Sequence, residues 1–175
     1  ILKNFKNKWQ LEGDITFTRL SLATDLSTTE TEGATTTRVS SHTNKRSAMV
    51  AEKLTLTKGS AIGKFTFGEE YTYTDNKQHF VPHTDASITH LRPSNNQAQQ
   101  HAVALFAEYG RAWKHVSLNA GIRYEGVSFD YRLNGTKQTE QSKWHNSLTP
   151  TLSLNYTLGK FGATLSFRPD RKSVV

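Results

Sequence analysis

The chain has 175 residues, a formal charge of +7 at neutral pH and an apolar fraction of 35%. That length is enough for one domain, but there is no run of about eighteen apolar residues, which excludes a transmembrane helix and leaves a membrane barrel open. The absence of cysteine excludes disulfides, thiolate metal sites and cysteine nucleophiles. Lys and Arg are scattered over turns and loops instead of lining one face, so no nucleic-acid partner is expected.

Residues 1–8 are basic and without pattern, and read as a connection or the tail of a preceding strand. No methionine or signal peptide opens the chain, which reads as a fragment or a mature region. Trp9, Leu11, Gly13, Ile15 and Phe17 then alternate with Gln10, Glu12, Asp14, Thr16 and Thr18. A period of two is the signature of a strand whose faces meet different media. Residues 20–46, rich in Thr and Ser, read as a long polar loop, with a strand extension around 35–39 as an option. A second strand covers 48–56. Thr57-Lys58-Gly59-Ser60 reads as a turn with Gly59 available for positive φ. The third strand follows from Ala61 to Tyr73, and 75–100 is a second long polar stretch. Within it, Gln97 to Phe106 has some helical propensity. The alternation continues to Tyr109, so this segment is assigned to a strand.

Two further strands form a hairpin across Arg111 to His115, the second with Val116, Leu118, Ala120, Ile122 and Tyr124 on one face. Residues 132–145 form a third polar loop. Leu148 to Leu158 and Phe161 to Phe167 are the last strands, joined at Gly159-Lys160. Long and short connections alternate, which puts the long ones at one end, as in an outer-membrane barrel. Each run is near the nine to eleven residues that a tilted membrane strand needs. Trp9, Tyr71, Tyr73, Tyr109, Trp113, Tyr124, Trp144 and Phe161 suit interfacial girdles. The expected fold is all-β: an antiparallel up-and-down meander of about seven strands, part of a transmembrane β-barrel. It forms a single partial domain over 1–175. Val116 to Tyr124, Leu152, Leu154, Leu165 and Phe167 would face lipid. Glu52 shares that face with Val50 and Leu54, which either a β-bulge or contact with protein in the complete barrel would explain; Glu69 is expected near the outer rim. The alternative is a soluble secreted or periplasmic β-sandwich binding or adhesin module, with the apolar face buried against a second sheet.

ALFAEYGRAWKHVSLNAGIRYEG, followed by SLTPTLSLNYTLGKFGATLSFRPDRKS, resembles the barrel region of TonB-dependent outer-membrane receptors. The matching elements are Gly121-Ile122-Arg123-Tyr124-Glu125, Pro150 to Tyr156, and Arg168-Pro169; Lys64 to Tyr73 is a looser match. The resemblance covers roughly 48–170. It implies uptake of a bulky ligand such as a glycan, peptide or siderophore. Implied partners are outer-membrane lipid, the imported ligand and the TonB system acting through a plug domain, with a surface lipoprotein as a further candidate. Plug and remaining strands are absent from the sequence, which reads as a piece of a larger barrel or a decayed copy of one.

Glu108, Asn119, Arg123, Glu125 and Arg168 are the candidates for the lumen-facing polar wall. Arg123 can pair with Glu125 or Glu108, as a ligand-path ladder or as an ordinary cross-strand ion pair. His79, His83, His90 and Trp144 are the outer-loop binding candidates. His79 and His83 are spaced for helix-borne ligands, but Pro82 lies between them, so no metal site is assigned. There is no GxSxG elbow, HExxH helix or phosphate-cradling glycine loop. Glu69-Glu70, adjacent in a strand, point to opposite faces and do not suit an acid/base pair. No enzymatic activity and no cofactor are expected.

Overall fold

In the computed structural model residues 1–83 and 92–169 are described, and all their strands join one antiparallel sheet. The elements are β1 (Leu2–Asn4), a 3-10 turn (Lys6–Lys8), β2 (Trp9–Glu32), β3 (Thr35–Ser60), β4 (Gly63–Pro82), β5 (Ser94–Ala112), β6 (Val116–Leu133), β7 (Thr136–Lys137), β8 (Lys143–Leu158) and β9 (Phe161–Phe167). Each long strand pairs with the next, β6 with β8, and the short β7 folds back on β6. The meander of long strands matches the expectation, with β1 and β7 as small additions.

The polar stretches do not. β2 and β3 pair without interruption from Trp9↔Lys58 to Glu32↔Thr35, so 20–46 is the far half of a hairpin and not a loop. Likewise β4 runs to Pro82, β5 begins at Ser94, and 132–145 contains a tight turn and β7. The reason is physical. Thr and Ser are acceptable strand residues, and a strand wetted on both faces has little polarity contrast to betray it. The turns fit their residues. Gly33 and Gly159 each have φ 60, while Asn134 (φ 51) and Gly135 (φ 82) are both positive, as a type I′ hairpin requires. The turn expected at 57–60 lies instead at Ala61-Ile62, and Gly63, not Gly59, takes the positive φ of 144. It is held by the Tyr109 hydroxyl, which donates to the Ile62 carbonyl (2.5 Å), and by Ser60 Oγ, which donates to the Gly63 carbonyl (2.8 Å).

Directly opposed residues share a face, so the registers assign every side chain to one of two surfaces. Ile122 shares its face with Ala107, Phe67, Leu56 and Leu11, whereas Arg123 shares the other with Phe106, Gly68 and Thr149. Glu12 and Asp14 of β2 border the same hollow as Arg123 and as Arg168, just past β9. In a flat sheet those ends would be separated by several strand spacings of about 4.8 Å, so the sheet curls, with the Arg123 face concave and the Ile122 face convex.

Among the described residues nothing packs on the convex face. Ile15 is 78% exposed and Phe161 82%, and among the described residues Ala104 (6%) is the buried apolar one. The described strands form a single sheet with no second layer among them, so the sandwich alternative fails. The convex apolar residues form a belt next to the short turns: Leu11 to Phe17, Val50 to Leu56, Phe65 to Tyr73, Val103 to Tyr109, Val116 to Tyr124 and Leu148 to Leu158. Although the strands reach 26 residues, the belt is seven to eleven residues tall, near the hydrocarbon thickness for tilted strands.

Beyond the belt the polarity inverts. The convex positions become Arg19, Arg46, Asp75, Gln99 and Asp130, and the concave ones include Leu20, Leu22, Phe80, Phe129 and Tyr131. Glu52 is opposite Ile15 and Tyr71 with the register unbroken, so no bulge turns it away from the convex face. Glu69 is opposite Leu54 and Leu105, within the belt and not at its rim.

Candidate functional site: the concave wall

Arg123 is at the centre of the concave wall. Its Nε donates to Glu125 Oε1 (2.7 Å) and its Nη2 to Glu70 Oε2 (2.6 Å), while Lys53 Nζ reaches Glu70 Oε1 at 3.0 Å. The sequence pairing with Glu125 therefore holds, but the second partner is Glu70, two strands away, and not Glu108. Small residues make that reach possible. Ala104 lies in register between Glu70 and Glu125 and is 6% exposed, so nothing on β5 blocks the guanidinium from crossing to β4.

Below the bridge, Phe106 lies over Gly68, where an added Cβ would fall 2.2 Å from the ring Cζ. A glycine covered by a cross-strand aromatic keeps its backbone shielded. The same ring has Lys53 Nζ 5.8 Å and Arg123 Cζ 5.7 Å from its centroid, within cation–π range. Gly121 makes room in a similar way, because a Cβ there would meet Thr151 Oγ1 at 2.9 Å and Glu108 Cγ at 3.4 Å. The side chains form a fixed, charged surface. The hollow of about 580 Å³ that they border also takes in Glu12, Asp14 and Arg168.

Of the sequence candidates, Glu108, Arg123 and Arg168 border this hollow, and Asn119 the adjacent one with Glu108 and Arg168. Glu125 joins through Arg123. Lys53, Glu70, Glu12 and Asp14 were missed, though alternation carried the signal, since each stands beside an apolar residue of the opposite face.

The outer-loop candidates fall elsewhere. His79 is in β4, on the convex face opposite Asn44 and Asn95, and its Nδ1 is hydrogen-bonded to Asn95 Oδ1. His83 follows β4, its backbone N–H donating to the Ser40 carbonyl (2.8 Å). Trp144 is in β8, on the convex face opposite Ser128, with its ring against Gly126. His79 and Trp144 are thus strand residues, because the strands continue through the polar segments. His90 lies outside the described residues.

Higher on the same wall, where the polarity has inverted, Leu20, Leu22, Ala98 and Tyr131 border a second, apolar hollow of about 590 Å³. A curled sheet with a bare apolar belt outside and charge inside is the wall of a membrane barrel. The profile of the outer membrane protein beta-barrel family matches residues 2–173. The chain belongs to this family.

Two solved structures have a similar fold. The alcaligin outer membrane receptor FauA from Bordetella pertussis matches 95% of this chain and 27% of its own, with a TM-score of 0.65 and 14% identity. The ferric yersiniabactin uptake receptor FyuA from Yersinia pestis matches 87% of this chain and 26% of its own, with a TM-score of 0.52 and 14% identity. The chain therefore spans about a quarter of each. No curated protein matches it. Membership places the protein in the outer membrane. The convex belt faces lipid, the short turns face the periplasm and the extended hairpins project outward.

Proposed function

We propose that the chain is part of the barrel wall of a TonB-dependent receptor that takes up a bulky ligand of the siderophore, glycan or peptide class. The observation that carries this is the inversion of polarity. Above the membrane the concave face turns apolar and aromatic at Leu20, Leu22, Phe129 and Tyr131, where a wall that only held a barrel together would have no use for apolar groups. A largely apolar hollow edged by Lys45, Asn76 and Gln78 is the kind of surface that binds a large amphipathic ligand. Below it, Glu108, Asn119, Arg123, Glu125 and Arg168 line the inward path or hold a plug domain by charge. His79 and Trp144 point away from that path, so ligand contact falls to the inward residues and to the outer end of β4 near His83. The role is that of a receptor and not an enzyme.

The test is uptake by cells whose full-length copy of this protein is present at the surface. Radioiron-labelled ferric alcaligin and ferric yersiniabactin, a labelled oligosaccharide and a labelled peptide are offered in turn. One of them is expected to accumulate, to stop when the proton gradient is collapsed, and to fall about tenfold with Tyr131→Ala combined with Leu22→Asp. Accumulation of none of the four, with normal surface levels, sinks the proposal.

A further inference from the structure

The convex wall has a hollow of its own, of about 590 Å³, at the height where the apolar belt ends. It backs onto the apolar inner hollow but opens on the other side of the sheet. Its lining includes Arg46, Lys77, His79, Gln97 and Arg132. The register explains the grouping. Arg46, Lys77, Gln97 and Arg132 stand in a single row across β3, β4, β5 and β6, with Lys137 opposite Arg132 at its end.

Like charges directly opposite each other destabilise a sheet, yet Arg46 and Lys77 are such a pair. Neighbouring carboxylates cancel only part of the row, two acids standing against Arg46, Lys77, Arg132 and Lys137. Asp75 is taken up by Lys77 at 3.2 Å and by the Gln97 amide at 2.9 Å. Asp130 is held by Lys137 at 2.5 Å and Arg132 at 3.3 Å. Arg46 has no acidic partner among the described residues, and neither does Arg19, one row nearer the belt. A cationic row that repels itself is relieved by an anion placed across it.

We propose that this row binds the phosphorylated headgroup of an outer-leaflet lipid whose acyl chains lie on the belt below. Position selects the lipid. Val50 and Tyr73 close the belt two rows beneath Arg46 and Lys77, so an anion here lies at headgroup depth with apolar wall directly under it. Spacing selects the headgroup. Adjacent strands are about 5 Å apart, which puts Lys77 and Arg132 about 10 Å apart. One phosphate bridges Arg46 and Lys77, and a second phosphate on the same headgroup reaches Arg132, whose guanidinium fork suits it. His79, hydrogen-bonded to Asn95, forms the upper wall. The inference rests on the membrane placement and not on the uptake proposal, so either can fail alone.

The full-length protein in non-ionic detergent is titrated with lipid A, which carries phosphates, with lipid A stripped of its phosphates, and with inorganic phosphate. Phosphorylated lipid A is expected to raise Tm and to bind about tenfold or more tightly than the stripped form, and Arg46→Gln with Lys77→Gln should erase that difference. Lys160→Gln, in a turn at the opposite end, should leave it unchanged. Equal binding of the two lipid A forms, or full binding by the double variant, overturns the proposal. Inorganic phosphate binding as tightly as phosphorylated lipid A would assign the row to a free anion and also overturn it. If the double variant does not fold, the contrast between the two lipid A forms on the unaltered protein still decides.

Discussion

Arg123 illustrates how a single side chain links three strands. It joins Glu125 on its own strand to Glu70 on β4, across the small Ala104 of β5. The three groups are between about a fifth and a third exposed, so solvent screening limits the bridge to the order of 1 kcal/mol. Arg123→Ala is expected to lower the urea unfolding free energy in phospholipid vesicles by about that much, and Arg123→Lys to recover part of it, since an ammonium lacks the fork. Identical unfolding curves for the three proteins would show that the bridge contributes nothing. Gly68 makes a sharper test. Gly68→Ala drives a methyl into the Phe106 ring, an overpacking that typically costs about 1–3 kcal/mol. In a Phe106→Ala background the same change should cost much less, and equal costs in both backgrounds would mean that the ring is not held over the glycine. Pairing of Arg123 with Glu125 could be read from a two-residue spacing, whereas Glu70 could not, because 53 residues separate it from Arg123.

β2 and β6 each consist of two segments with opposite inside and outside, as β6 shows most clearly. From Val116 to Tyr124 its apolar positions face lipid, and from Val127 to Tyr131 they face the concave side. Ile122→Arg would place a cation in the belt at a cost of about 2–4 kcal/mol, while Asn119→Arg, on the concave face, should cost little. Refolding yield into vesicles separates the two, and comparable yields would contradict the assigned faces. Glu52 and Glu69 show that the belt tolerates acid better than base, and nothing else in the structure accounts for them. At the outer end of β6, Asp130 is held below the usual carboxylate range by its hydrogen bond from Lys137, with desolvation opposing and Arg132 adding to it. A depressed carboxyl favours the folded form above its ordinary pKa and loses that effect as pH falls through the folded value. Amide exchange around β7 should therefore accelerate only below the ordinary aspartate range, and Asp130→Asn should abolish that step. Acceleration at higher pH would assign it to another group.

Across the whole molecule the sheet has two free edges. β1 and Ile1 cover β2 only as far as Gly13, and beyond that point neither β2 nor the far side of β9 has a strand partner among the described residues. Long edges beside a bare apolar face pair with whatever strand is offered. Closure of the barrel requires further strands there, because unpaired backbone is not tolerated in hydrocarbon. In the full-length protein in micelles, the β2 amides between Asp14 and Thr18 should resist hydrogen exchange as strongly as those of β4. Rapid exchange there would mean that the wall ends at β2.

Alternation of apolar and polar residues was enough to read the membrane halves of the strands and the short turns at Arg111–His115 and Gly159-Lys160, though not the one at Ala61-Ile62, because a two-residue period survives in one dimension wherever the two faces meet different solvents. It also held the membrane boundary, in the change from Trp9, Leu11, Ile15 and Phe17 at odd positions to Leu20, Leu22 and Leu26 at even ones, although the polar surroundings disguised that change as a loop. Register alone could bring Glu70 to Arg123, or line up Arg46, Lys77 and Arg132. Which residues of distant strands share a row depends on where each turn closes, and a shift of one position moves every side chain to the other face. Chemistry that spans three or four strands therefore exists only once the turns at Gly33, Ala61-Ile62 and Asn134-Gly135 have set those rows.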